Sequence, residues 1–310
     1  MNRAPFAIAI TMLGASLTAV SHADHECPPA QLALGRPHID FVQWQVLPSR
    51  VLGPTNSLPG VKATALSYDA TGTRAVSVIF EFPAGWIMDK PHYLDSDQEF
   101  LVLSGQLEVD GTAYGPNDYA YLPAGFPHRL LRSEQGATLL NFYEGEHLAF
   151  YASVPDVLYQ PRKLIRKIET AKLRWTPARD GSRRKLLRRD KATGEETWLT
   201  QADADVPASH GDYKASARGV AQMRDAVEEF FVLDGELSTP RGVMLTGSYA
   251  WRAPHTAIGP SASRKGYTAL IRSKGGAPGG NATDQTLDIA LDAPYRPCLP
   301  DTLRGAVAPK

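Results

Sequence analysis

The chain has 310 residues, of which 43% are hydrophobic, 9% aromatic and 21% charged; this is the composition of a folded globular protein and excludes disorder as the main state. Lysine plus arginine (33) balances aspartate plus glutamate (33), so no global field recruits nucleic acid or an anionic membrane. The length is about twice that of a common domain and predicts two cores.

In chain order, the first feature is an address. Asn2 and Arg3 open a short cationic stretch, Phe6 to Val20 form an apolar run, and Ser21-His22-Ala23 places small residues where a signal peptidase reads. A signal peptide over 1–23, cleaved before Asp24, is expected, and with it a periplasmic or secreted protein with no membrane span. Thr11, Gly14, Ser16 and Thr18 leave the run short of the roughly 20 apolar residues that a span needs. In an oxidising compartment Cys27 and Cys298, the two cysteines of the chain, are expected to pair and so clasp the N-terminal tail to the C-terminal one.

Short strands follow. Arg74 to Phe82, Phe100 to Val109 and Asp118 to Leu122 are rich in β-branched, aromatic and leucine residues, with glycine, proline, asparagine or aspartate at their ends. Turn glycines at 72, 85, 105, 111, 115 and 125 suggest an antiparallel sandwich or barrel. The stretch from His147 to Ile168 carries the plausible helices. Twelve basic residues between Arg162 and Arg189 read as a solvated linker and edge strand rather than as an anion site.

At an offset of 130, residues 98–140 align without a gap on 228–270, with twelve identities in forty-three positions. These include Glu99/Glu229, Phe100/Phe230, Gly105/Gly235, Tyr119/Tyr249 and Gly136/Gly266. A period this long is a duplicated domain and not a solenoid, whose units are roughly 20 to 50 residues. The expected organisation is a signal peptide (1–23), an N-terminal domain (24–146), a linker (147–172), a second domain (173–298) and a tail (299–310).

The segment from Gly85 to Leu94, continued by Gln98 to Gly105, resembles the first motif of the cupin superfamily, and Gly115 to Tyr119 with Pro123 to His128 resembles its second. The whole is similar to two-domain cupins related to the ChrR-type cupins and the acetylacetone-cleaving dioxygenases. The resemblance implies an all-β chain of two tandem jelly-roll barrels (a bicupin) with a short helical or loop linker. It also implies a metal site of two histidines one residue apart, a glutamate and a third histidine.

Mapped onto this sequence, the first barrel offers His92 and His128, but Leu94 stands where the second histidine belongs. The carboxylate position is Glu99 or, counted back from Gly105, Gln98. Strand alternation puts 92, 94, 98, 100 and 102 on the inner face, which favours Gln98 inside and Glu99 outside unless a bulge intervenes. With Glu99 inside, His92, Glu99 and His128 would form a two-histidine, one-carboxylate site for a divalent ion (Fe, Mn, Ni, Cu or Zn). Leu94, Gln98, Phe100, Val102 and Tyr121 are the expected pocket residues, and His128 and Tyr93 the catalytic candidates.

The second barrel departs further from that pattern. Gln222 and Ile258 stand opposite His92 and His128 in the alignment, Arg224 opposite Leu94, and Glu228 opposite Gln98. An internal Arg224–Glu228 ion pair in place of a metal is the expectation, since buried charges need partners. His210 and His255 read as loop or rim residues. The expected function is an exported bicupin that binds a small organic ligand in its first barrel, with a divalent metal on two histidines and dioxygenase- or isomerase-like chemistry open (as an enzyme, a metal-dependent oxidoreductase of the cupin dioxygenase type). The alternatives are a non-catalytic small-molecule binding or sensing module with vestigial metal sites and, third, an interaction or storage protein. A small organic ligand is the expected partner in the first two, with no nucleotide cofactor; homo-oligomerisation is left open.

Overall fold

The central strands of each half are buried on both faces. Every residue of Asp118–Leu122 and of Ser248–Arg252 is buried. A strand covered on one face only would alternate between buried and exposed. The computed structural model describes residues 27, 31–69, 71–155, 157–178, 180–204 and 216–304 and shows why. The expected signal peptide and His210 lie outside the described residues.

The first half forms a sheet in the order Ile165–Glu169, Asp118–Leu122, Gln98–Gly105, Ala137–Tyr143, Val76–Phe82, Lys62–Tyr68 and Arg50–Val51. A smaller sheet of Thr112–Tyr114, Leu107–Val109, Leu131–Ser133 and Trp86–Met88 completes its barrel. The second half repeats the plan with Thr176–Pro177, Arg183–Arg189, Glu196–Ala202, Tyr267–Lys274, Val227–Thr239, Ser248–Arg252 and Ile39–Gln43. Its smaller sheet holds Ala257–Ile258, Ser216–Arg224 and Gly280–Ala290.

The two large sheets pack against each other. Even-numbered Phe100 and Val102 enter the first barrel's core with Leu94, Phe126 and Tyr143. Leu101, Tyr119, Tyr121, Leu140 and Phe142 from the other face join Phe231, Tyr249, Trp251 and Leu270 in a core shared between the halves. The repeated glycines have a local cause. Gly105 and Gly235 adopt φ of +71° and +83°, and a Cβ there would lie 2.1 and 2.2 Å from the carbonyl oxygens of Gly136 and Gly266.

Two expectations are corrected. Among its described residues the linker 147–172 contains no α-helix; it holds a two-residue strand (Ala149–Phe150), two 3-10 turns and the strand 165–169. That strand pairs with 118–122 of the first sheet, whereas 39–43, placed by sequence in the first domain, pairs with 248–252 of the second. The first domain thus supplies an edge strand to the second half's sheet, and the linker supplies one to the first. The basic segment is partly exposed and provides the edge strand 165–169, and several of its charges are paired: Lys163 with Asp97, Lys167 with Asp118, and Arg184 and Arg189 both with Glu196. The clasp between the termini is present as a Cys27–Cys298 disulfide, with Cα atoms 5.4 Å apart. It is anchored where Asp40 and Cys298 exchange hydrogen bonds, Asp40 N–H to the Cys298 carbonyl at 3.1 Å and Cys298 N–H to the Asp40 carboxylate at 2.7 Å.

Candidate ligand-binding site in the second barrel

His92 and His128 meet in the first barrel as backbone partners, His92 N–H to His128 O at 2.9 Å and His128 N–H to His92 O at 2.8 Å. Their rings are near-parallel, with centroids 5.2 Å apart, and the edge of Phe126 closes on His128 at 5.3 Å. His92 Nδ1 donates to the Lys90 carbonyl at 2.9 Å, while His128 Nδ1 is buried without a partner among the described residues. Burial disfavours the imidazolium of His128, and the neighbouring His92 adds to this; together they push its pKa down to about 3, so the ring is neutral.

Among the described residues no carboxylate joins them. Alternation turns Glu99 to the opposite face, where Tyr119 donates to it at 2.6 Å and the Arg272 Nε at 2.9 Å. Gln98 does face the barrel interior, but its amide donates to Asn141 and Tyr143, both at 3.1 Å. Among the described residues no group of three or more His, Cys, Asp or Glu is placed to hold a metal ion. The expected set of His92, Glu99 and His128 is therefore not assembled. The donors present, two imidazoles beside a leucine and a committed amide, do not fit the divalent ion that the resemblance implies.

The expected pocket is corrected as well. Leu94, Phe100 and Val102 are packed into the first barrel's core. Tyr121 lies on the other face, donating to Asp97 at 2.5 Å under the guanidinium of Arg188, 4.2 Å from its ring. Tyr93 stacks on Phe150 at 5.4 Å and, one residue from His92, points to the opposite side of the strand.

The open space is in the second barrel. A cavity of about 870 Å³ is lined by Trp198, Thr200, Gln222, Arg224, Glu228, Phe230, Arg252 and Ile258, among others. Gln222 and Ile258 are cross-strand partners, as His92 and His128 are in the first barrel, so the alignment holds in space although neither residue is a metal ligand. Arg224 Nε lies 3.1 Å from Glu228 Oε2, and Arg252 Nη1 lies 2.7 Å from Glu228 Oε1. A guanidinium pair on one carboxylate thus occupies the place corresponding to a metal site. Burial works against the charged form of Glu228, but Arg252 and Arg224 outweigh it and hold the carboxyl below its ordinary range.

Arg252 is fixed further by Phe230, whose ring lies 5.2 Å from its guanidinium carbon. Arg224, the more exposed of the two at 39%, uses Nε for Glu228, and its terminal nitrogens have no partner among the described residues. Trp198 and Arg184, stacked at 4.3 Å, form another stretch of wall, with Arg184 held by Glu196 at 2.8 Å. Arg252 was missed in the sequence, although one signal was present: it ends an otherwise apolar strand at the position that Leu122 fills in the first copy. His255 is an exposed turn residue with φ of +57°.

Residues 166–277, which span most of this barrel, match the family model of the ChrR Cupin-like domain. The fold of the whole chain is that of a two-domain cupin. A candidate dioxygenase of Nostoc punctiforme aligns with a TM-score of 0.66 and 15% identity over 77% of this chain and 87% of that one. The Escherichia coli protein Ylba aligns with a TM-score of 0.52 and 13% identity, over 80% and 95%. An oxalate decarboxylase of Bacillus subtilis aligns at 0.50 and 12%, covering 78% of each chain. At these identities the cupin likeness establishes fold and leaves function to the site. No curated protein matches the sequence.

Proposed function

We propose that this bicupin is an exported binding protein for a small organic carboxylate, held in the second barrel without a resident metal. The observation that carries the reading is the Arg224–Glu228–Arg252 cluster on the wall of the large cavity. Two guanidiniums against one carboxylate leave an excess positive charge in a partly desolvated site. The planar terminal nitrogens of Arg224 are suited to receive a carboxylate in bidentate fashion. Trp198, Phe230 and Ile258 supply apolar walls for the organic body. Export is supported by the Cys27–Cys298 disulfide, a bond that persists in oxidising compartments.

Isothermal titration with butanoate tests the reading. Binding that weakens at least tenfold in Arg224→Ala supports it; equal binding by the two proteins overturns it.

A second reading is a metal-assisted oxidoreductase working in the first barrel, and one observation favours it: the buried, unpartnered Nδ1 of His128. The donor set speaks against it, as does the packing of Leu94, Phe100, Val102 and Phe126 into the surrounding core. Stoichiometric metal lost in a His92→Ala, His128→Ala variant would restore it.

A further inference from the structure

A second cavity of about 510 Å³ adjoins the first, and the two share Arg252, Ile258 and Gly259 as wall. Three of its polar residues, His38, Asp40 and Arg241, are engaged with one another. His38 Nε2 is 2.9 Å from Asp40, Arg241 Nε is 3.1 Å from the same carboxylate, and the Cys298 N–H donates to it. Phe41, Pro240, Ala257 and Leu287 supply an apolar stretch of wall, beside Thr239, Thr256 and Gln285. At the junction stands Ile258, where the first barrel has His128, so a hydrocarbon surface joins the two spaces. The charged groups of the second cavity are paired, whereas Arg224, whose terminal nitrogens have no partner among the described residues, lines the first cavity and not the second.

Resting on the carboxylate reading above, we infer that the ligand is an elongated, amphiphilic acid. Its carboxylate sits at Arg224 and Arg252, and its hydrocarbon tail passes Ile258 into the neighbouring cavity. Burying a methylene contributes about 0.8 kcal/mol, a factor of roughly four in affinity. An occupied second cavity therefore makes affinity rise with chain length, whereas a head-group site alone does not.

The test is titration of the full-length mature protein with butanoate, hexanoate and octanoate, alone and in Ala257→Trp. Ala257 is exposed to the cavity, so the substitution fills that space without entering the core. The expected result is octanoate binding at least tenfold more tightly than butanoate in the parent protein, with the gain abolished in Ala257→Trp and butanoate affinity kept within twofold. Equal affinities across the series, or a chain-length gain that survives in Ala257→Trp, overturn the inference and leave the carboxylate site standing. Failure of every acid to bind overturns both.

Discussion

The guanidinium of Arg272 lies 4.0 Å from the ring of Phe142, its own counterpart at the offset of 130. The duplicated sheets meet at this pair, and the partners of Arg272 follow the same symmetry. Its Nε donates to Glu99 at 2.9 Å and its Nη1 to Glu229 at 2.5 Å; those glutamates are repeat equivalents, as are Tyr119 and Tyr249, which donate to them in turn. One arginine thus serves both copies at an interface that both copies built.

Removing it should be costly. Arg272→Ala leaves Glu99 and Glu229 buried without their shared cation, and breaking such a pair costs about 3 to 5 kcal/mol. Urea denaturation is expected to show a loss of that order; a change under about 1 kcal/mol would show that the two sheets do not depend on the cluster.

Glu228→Ala strands Arg252, only 9% exposed, in the same way. A loss of about 3 kcal/mol or more is expected. Because the guanidiniums occupy the position of a metal, divalent ions should leave the melting temperature of the parent protein unchanged. Stabilisation by a metal that disappears in Glu228→Ala would refute this assignment.

Acid should act in two steps. His128 is neutral when folded, with a pKa near 3, whereas its unfolded imidazole takes up a proton below about pH 6.5. Its contribution is complete above pH 6.5 and is lost as pH falls from there towards 3. His92 and His147 are displaced in the same direction, both by burial. Glu99, Glu144 and Glu228, all held below their ordinary range against burial by arginine or lysine partners, add a second loss below about pH 4.3. Denaturation midpoints measured between pH 8 and 3.5 should decline from about pH 6.5, and His128→Leu should flatten the upper part of the decline. A midpoint constant down to pH 5 would contradict a buried neutral His128.

Much of the fold was legible because it depends on local patterning repeated twice. Alternation along 98–105 placed Gln98 and Glu99 on opposite faces, and the offset of 130 located Arg224 beside Glu228. Tyr121 defeated the same reasoning. It pairs with Glu99 across the strands and not with Phe100 or Val102, so its face meets the other sheet and not the barrel interior. The edge placement of 39–43 and 165–169 depends on pairings over long sequence separations, for which local periodicity carries no signal. The cavity was missed for a related reason: its wall is drawn from strands far apart in sequence, such as those carrying Trp198, Arg224, Arg252 and Ile258.

The disulfide should matter for stability. Cys27 and Cys298 are 271 residues apart, and cross-links of this kind contribute about 2 to 5 kcal/mol in small exported domains. Reduction should lower the melting temperature, and a thiol titration of the unreduced, denatured protein should find no free sulfhydryl. Two free sulfhydryls would remove both the clasp and its support for export.

The central claim, a carboxylate held in the second barrel and not the first, is tested most directly by a crystal structure of the protein grown with hexanoate. Electron density is expected for a carboxylate against Arg224 and Arg252, with the chain running past Ile258. Density or a metal ion between His92 and His128, with the second barrel empty, would contradict it.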